Sequence, residues 1–464
     1  MDTPIRFGTD GWRATLDVFT SSRVRMVGQA VATYLADTGN ENGTVGICYD
    51  ARDTSRGFAE DLAEVLAANG HDVLLSDRDR PTPLLAWTIV DRELAGGLMV
   101  TASHNPPSYN GVKYIPDDGA PALPAVTDAL EARLAKPTEE AADSANEQPG
   151  SIHETDFVTA YETHLFDLVG TDAIDGLPVA YDAMHGSGRG VTDAVLERAG
   201  ASVERLRCAT DPTFGGGSPE PNAHTLKTLV TAVMDGDAEL GIANDGDADR
   251  VAVVTPARGY VDENLLFAAL YDYLLETEAG PAVRSVSTTF LVDRIAAAHG
   301  ERVIETPVGF KWVAAAMADN DALIGGEESG GFTIRGHVRE KDGVLVALLI
   351  AAMHAAESLD DRLDRLLADH GEIHQAKIGV DCPDGEKARV IGALEGTLPE
   401  TVAGVAVDRV ASVDGYKILL ADGSWLLVRP SGTEPMLRVY AEASSEERVE
   451  ELLEAGRDLV SPLV

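Results

Sequence analysis

Three aspartates at alternate positions, Asp245, Asp247 and Asp249, stand in the run Asn244-Asp-Gly-Asp-Ala-Asp-Arg250. Carboxylates at i, i+2 and i+4 converge in a looped or extended segment, and three hard oxygens suit Mg2+ or Ca2+. An EF-hand is excluded. Its loop wants Gly at the sixth position and Glu at the twelfth, where this chain has Arg250 and Pro256. A chain with 77 acidic residues also forms plain solvated acidic turns. Arg250 argues against that reading, because a fixed cation beside a metal cluster suits a phosphate ligand.

A second loop, Thr101 to Tyr114, holds Ser103, His104, Asn105, two prolines, the turn Tyr109-Asn-Gly111 and Lys113. Ser103 follows a predicted strand, so its hydroxyl is offered from a rigid base. A serine in such a turn is equally a capping residue, and no G-x-S-x-G elbow surrounds it, which argues against acyl transfer. A third loop, Arg429-Pro-Ser-Gly-Thr-Glu-Pro435, combines a forked donor, two hydroxyls and a glycine. Its backbone N–H groups can form an anion nest, although a plain turn between strands has the same composition. No G-x-x-x-x-G-K-[ST] occurs, so a P-loop nucleotide site is not supported.

Alternating helices and strands must position these loops. Val24, Val27, Val31, Tyr34 and Leu35 mark one helix face. Strands are predicted at 44–49, 73–75 and 97–100, with helices at 58–68 and 83–93 between them. That alternation implies parallel sheets with helices on both faces. Lys136 to Ser151 is polar and bracketed by Pro137 and Pro149, and reads as a linker. The pattern restarts with a helix at 157–168 and strands at 177–181 and 239–243, then again with strands at 283–288 and 322–325. The last ninety residues read as an antiparallel meander, 405–410, 416–420 and 424–429, turned at Asp422-Gly423 and followed by a helix at 446–459. Each of the first three blocks ends its last strand in a polar, Gly- or Pro-rich loop: the Ser103 loop, the aspartate loop and Gly326-Glu-Glu-Ser-Gly-Gly331. In parallel sheets ligands bind outside the carboxyl ends of strands, so these loops and the Arg429 loop are predicted to face one cleft.

Acidic residues outnumber basic ones 77 to 37, a formal charge of −40. That opposes binding to nucleic acid or to anionic lipid. Three distant cysteines, Cys48, Cys208 and Cys382, suggest a reducing compartment without a disulfide framework. No secretory signal is visible, and the longest apolar run, Val344 to Met353, is half a membrane span, so a cytoplasmic protein is expected. Lys occurs only 8 times. Acid excess with scarce Lys is expected of a halophilic protein, because molar salt shrinks the Debye length to about 3 Å.

Taken together the loops resemble the α-D-phosphohexomutase family of phosphoglucomutases, phosphomannomutases and phosphoglucosamine mutases. TASHNPPSYNGVK resembles that family's phosphoserine loop, NDGDADR its metal loop, GEESGG its sugar loop and RPSGTEP its phosphate loop. They occur in the family's order, and the opening FGTDGWR is similar to the family's start. The resemblance implies three similar α/β domains with mixed or parallel sheets and a smaller α+β C-terminal domain around a central cleft, with boundaries set here at 1–152, 153–256, 257–371 and 372–464. It implies a phosphorylated Ser103 that, with Asp245, Asp247 and Asp249, holds one Mg2+ per chain. It assigns Arg250 to phosphate, Glu327 and Ser329 to sugar hydroxyls, and Arg429, Ser431, Gly432 and Thr433 to the non-reacting phosphate. Arg13, His104, Lys113 and Lys311 sit where basic cleft residues occur in relatives.

The activity implied is interconversion of hexose 1-phosphate and hexose 6-phosphate, of glucose or mannose, through a hexose 1,6-bisphosphate that also serves as activator. Sugar phosphates are the implied partners, and the chain is expected as a monomer or homodimer. The alternative within the family is phosphoglucosamine mutase, whose members usually carry Gln and His where this chain has Glu328 and Gly331. Outside the mutases, the alternatives are a metal-dependent phosphatase and a sugar-phosphate-binding regulator. Intact Ser103, the three aspartates and the Arg429 loop oppose the regulator.

Overall fold

The computed structural model describes residues 5–8, 10–135, 149–170, 174–432 and 434–464. Three sheets share one plan. In the first, strands 45–49, 73–76 and 96–100 run parallel, and strand 109–116 lies antiparallel against 96–100. In the second, 178–182, 202–206 and 240–244 are parallel and 251–255 is antiparallel to 240–244. In the third, 282–285, 303–306 and 324–326 are parallel and 332–334 returns antiparallel to 324–326. The sheets are therefore mixed, where the helix–strand alternation alone implied parallel ones. The reason lies in the connections: the last pair of each set is joined by a short loop with no crossover helix, which permits only an antiparallel return. Those short loops are the Ser103 loop, the aspartate loop and the Glu327–Gly331 loop.

Strand 152–155 pairs with 73–76 in the first sheet, and strand 259–261 pairs with 251–255 in the second. The boundaries expected after residues 152 and 256 thus fall within sheets. Residues 136–148 of the expected linker lie outside the described residues.

The expected helix over 24–35 forms as Ser21–Asp37, burying Val24, Val27, Val31 and Leu35. The apolar run is the helix Gly343–Ala356, buried from Gly343 to His354 and started by the Asp342 carboxylate, which accepts from the N–H groups of Val344 and Leu345. It packs against helices 158–169, 192–198 and 263–275, so its all-round hydrophobicity answers to neighbours on every side. Among the described residues no single helix is long and apolar enough to cross a membrane.

The C-terminal unit is one antiparallel sheet in the order 374–381, 436–443, 425–430, 416–420, 405–411, 401–402, covered by helices 384–395 and 446–460. The meander is as expected. Strand 374–381 was not legible, because as an edge strand it leaves most of its residues half or fully exposed and so carries little hydropathy signal. The Arg429 loop is again a hairpin turn, closed by the Ser431 N–H donating to the Met436 carbonyl.

Candidate active site

Ser103 sits in its turn with φ of +50°, a conformation that costs a residue with a Cβ on the order of 1 kcal/mol and must be held in place. Arg52 holds it. The buried guanidinium donates to the carbonyls of Ser103 (2.8 Å), Asn105 (2.6 Å), Pro106 (2.7 Å) and Tyr109 (3.1 Å), and its Nε donates to Asp50 (2.9 Å). Asp50 also accepts from Thr101 Oγ1, which in turn accepts from the Ser103 N–H. Arg52 and Asp50 lie in a loop after strand 45–49 and were missed from the sequence, where Asp-Ala-Arg reads as an ordinary polar turn.

So braced, the Ser103 hydroxyl donates to Asp245 Oδ2 at 2.8 Å and lies 3.2 Å from His104 Nδ1. The Ser103 and aspartate loops touch: a Cβ at Gly246 would come within 2.6 Å of the Ser103 carbonyl oxygen, so only glycine allows this approach. Asp245, Asp247 and Asp249 are all buried, with one carboxylate oxygen of each within 4.8 Å of the others. Asp247 Oδ1 and Asp249 Oδ1 have no hydrogen-bond partner among the described residues. Two orphaned buried carboxylate oxygens beside a serine hydroxyl are a donor set for a hard cation, so the residues fit Mg2+.

The other oxygens of that set are balanced by two ammonium groups. Lys113 Nζ donates to Asp247 Oδ2 (3.0 Å) and Asp249 Oδ2 (2.9 Å) and lies 2.8 Å from Asp10 Oδ2. Lys341 Nζ lies 3.4 Å from Asp249 Oδ2 and 3.1 Å from Glu340 Oε1. Thr82 Oγ1 donates to Asp247 Oδ2 at 2.6 Å. Burial, then Asp249 and Asp247, push the Asp245 carboxyl well above the usual range. Burial opposes ionisation of Asp247 too, but Lys113 and Thr82 hold that carboxyl well below it. Burial, then the cations Arg250 and Arg13, push His104 down to about 2, so its imidazole is neutral at pH 7.

Arg250 lies over the loop with Nε 3.9 Å from Asp249 Oδ1, and among the described residues that nitrogen has no hydrogen-bond partner. Arg13, on strand 12–15, reaches Asp10 at 3.3 Å. Lys311 stands half-buried near the start of helix 310–320, its pKa lowered by burial, with Asp10 opposing.

The Glu327–Gly331 loop joins this cluster through Val251, whose N–H donates to the Gly330 carbonyl. Glu327 Oε1 accepts from the Gly309 N–H at 2.8 Å, and burial, then Glu328, push its carboxyl up to about 7. Ser329 is half-buried in the same turn. In the C-terminal unit Arg429 Nε donates to Asp414 Oδ2 at 2.8 Å, which also accepts from the Val308 N–H of the third unit. Ser431 is buried, Gly432 is exposed, and Thr433 lies outside the described residues. Lys387 Nζ underpins the loop, donating to the carbonyls of Ser431 and Glu434 at 2.6 Å each.

Asp10, Thr82, Lys341, Asp414 and Lys387 were also missed. One signal was available for Lys341: in a chain with so few lysines, those retained are informative, and Lys113, Lys341 and Lys417 are 2%, 4% and 1% exposed.

Three α/β units with equivalent loops, a buried serine on an acidic cluster, and Arg, Lys and hydroxyl donors around them define a class of enzyme that moves phosphoryl groups on small molecules. The comparisons are specific within that class. The chain matches all four domain families of phosphoglucomutase/phosphomannomutase: α/β/α domain I over 4–141, domain II over 156–259, domain III over 262–371 and the C-terminal domain over 378–459. The chain belongs to the phosphoglucomutase/phosphomannomutase family, whose members are isomerases that act as intramolecular phosphotransferases. It is 33% identical to a Methanopyrus kandleri relative assigned as a phosphoglucosamine mutase, covering 98% of this chain and 97% of that one. It is 31% identical to a Thermococcus kodakarensis phosphoglucomutase/phosphomannomutase, covering 98% of each. A solved Thermus thermophilus structure assigned as a phosphomannomutase superposes with a TM-score of 0.86 at 31% identity, over 99% of this chain and all of that one.

Proposed function

We propose that the chain interconverts hexose 1-phosphate and hexose 6-phosphate, of glucose or mannose, with Ser103 as the phosphoryl carrier. The observation that carries this is the Ser103 hydroxyl, fixed by Arg52 and held 2.8 Å from Asp245 beside the orphaned oxygens of Asp247 and Asp249. In the phosphorylated enzyme a sugar hydroxyl attacks the phosphorus, the bond to Ser103 Oγ breaks, and the hydroxyl proton passes to a neighbouring base. The product is a hexose 1,6-bisphosphate. After it turns end for end, Ser103 takes the other phosphoryl group and is recharged.

Phosphoryl transfer needs positioning and charge balance more than covalent help. Arg250, Lys113 and Lys341 supply fixed positive charge around the phosphoserine. Glu327 and Ser329 hold sugar hydroxyls. Arg429, Ser431, Gly432 and Thr433 hold whichever phosphate is not reacting. Ser103, Asp245, Asp247 and Asp249 would hold Mg2+, which when bound neutralises charge on the phosphoryl oxygens.

A second reading, phosphoglucosamine mutase, is favoured by the name its Methanopyrus kandleri relative bears. The deciding experiment supplies glucose 1-phosphate, mannose 1-phosphate and glucosamine 1-phosphate with a trace of the matching bisphosphate, and follows both 6-phosphate formation and free phosphate. Isomer without free phosphate is expected, fastest with glucose or mannose. Fastest turnover of glucosamine 1-phosphate would replace the first reading by the second, and stoichiometric free phosphate would make the enzyme a phosphatase. Excess chelator should stop turnover and Mg2+ restore it.

A further inference from the structure

Among the described residues, Lys417 is the one buried lysine that the proposed chemistry does not use. It lies on strand 416–420 of the C-terminal sheet and is 1% exposed. Its ammonium leaves its own unit: Nζ donates to the Val286 carbonyl at 2.7 Å and to Glu305 Oε2 at 3.1 Å, both in the third unit. It sits over two ring faces, 4.1 Å from the centroid of Phe290 and 4.2 Å from that of Trp425, so the attraction to both rings is made away from water. Arg284 shares Glu305 at 2.7 Å. Burial, then Arg284, lower the Lys417 pKa to about 7, with Glu305 opposing. Burying such a charge is costly unless hydrogen bonds and counter-charges compensate it, as Val286 and Glu305 do here.

What it grips is informative. Val286 follows Ser285, whose hydroxyl donates to Glu328 Oε2 at 3.1 Å, inside the sugar loop. On the other side, Lys417 lies three residues after Asp414, which accepts from both Arg429 and the Val308 N–H. The same short segment of the third unit is held twice more, by the Gln375 side chain donating to the Ser287 carbonyl at 2.9 Å and by the Phe290 N–H donating to Glu442 at 3.1 Å. Lys417 therefore stands between two substrate-facing loops that belong to different units.

We propose that Lys417 is a positioning residue that fixes the distance between the sugar loop at Glu327–Ser329 and the phosphate loop at Arg429–Gly432, and so the length of sugar phosphate the site accepts. The inference rests on the reading that these two loops hold the sugar and its non-reacting phosphate. A joint pinned at one ammonium sets that span more sharply than apolar packing would, because the hydrogen bonds to Val286 and Glu305 have a direction and the packing does not.

Lys417→Met keeps the stem volume between Phe290 and Trp425 and removes the ammonium. Glu305→Gln keeps the volume of Glu305 and weakens the same grip from the other side. Three readouts are combined: affinity for glucose 6-phosphate by calorimetry, the ratio of kcat/KM for glucose phosphate to that for the shorter ribose phosphate, and hydrogen exchange of the Phe290 and Val308 amides. A wrong span between the two loops loses about one charge-assisted hydrogen bond to the substrate, so Lys417→Met should weaken glucose 6-phosphate affinity by roughly tenfold. The effect on KM should exceed that on kcat, the ratio should fall toward one, and both amides should exchange faster. Glu305→Gln should move each value the same way by less.

A merely structural lysine would lower the melting temperature and leave affinity and the sugar ratio alone. Unchanged affinity and ratio in both variants would overturn the proposal. Absence of hexose phosphate turnover in the wild type would sink the functional reading instead. Calorimetry needs no turnover, so a wild type that binds glucose 6-phosphate without isomerising it still decides the role of Lys417.

Discussion

Ser103 combines three features that seldom meet in a structural serine: a positive φ, complete burial and a hydrogen bond to a carboxylate that burial keeps from ionising freely. If it carries the phosphoryl group, Ser103→Ala should lose at least about a thousandfold in turnover, roughly 4 kcal/mol of barrier, and intact-mass measurement should find no phosphorylated form. Near-normal turnover would remove the assignment. Glu327 gives a pH test. Its carboxyl is raised from 4.5 to about 7 by burial and then by Glu328, so between these values the folded chain binds more protons than the unfolded one. The stabilisation is fully present below pH 4.5 and is lost as pH rises through 7. Relative to Glu327→Gln, the wild type should lose stability across that window, by at most roughly 3 kcal/mol. Urea midpoints of the two proteins, followed at constant salt, check this, and parallel curves would contradict it.

At the scale of elements, each of the four loops read from the sequence is the turn of an antiparallel strand pair: 96–100 with 109–116, 240–244 with 251–255, 324–326 with 332–334, and 425–430 with 436–443. Such a turn is anchored on both sides by ladder hydrogen bonds, which fixes a short polar loop more tightly than a single strand end can. The Arg429 loop adds Lys387 beneath and Asp414 beside it. Arg429 gives its Nε to Asp414 and also hydrogen-bonds Tyr440, so its guanidinium is held in place as a fixed charge for a phosphate. Losing charge-assisted bonds of this kind costs about 1.5–3 kcal/mol. Arg429→Ala should therefore weaken 1-phosphate and 6-phosphate substrates alike, roughly tenfold to a hundredfold, while phosphorylation of Ser103 by a bisphosphate persists at a reduced rate. Measuring KM and kcat in both directions tests this. If one direction alone suffered, the loop would not serve both ends of the sugar.

Across the whole molecule, 77 acidic residues against 37 basic ones leave a charge of −40 to be carried on one compact chain. Self-repulsion at that charge destabilises the folded state at low ionic strength. The melting temperature should climb steeply between about 0.1 M and 2 M KCl as the Debye length contracts. A flat or falling curve would contradict adaptation of this chain to salt. The same excess of acid makes the buried cations conspicuous. Lys113, Lys341 and Lys417 each sit against carboxylates where two or more loops or units meet.

The sequence by itself determined the four loops, their order along the chain and the alternation of elements between them. Those properties are local: a turn declares itself by Gly, Pro, Asp and Asn, a buried helix by its run of apolar residues, a metal-ready cluster by the i, i+2, i+4 spacing of Asp245, Asp247 and Asp249. It did not determine which strands return antiparallel, because pairing direction depends on whether the chain crosses over or turns back. Nor did it reveal Asp10, Arg52, Thr82, Lys341, Asp414 or Lys417. Each acts on a partner distant in the chain. Thr82 meets Asp247 across 165 residues, Lys417 meets Val286 across 131, and Arg52 meets Ser103 across 51. Hydropathy and spacing report only on neighbours within a few residues. The tertiary structure decides which distant carbonyl or carboxylate a buried charge will find, since burial makes that partner obligatory and folding alone brings it within about 3 Å.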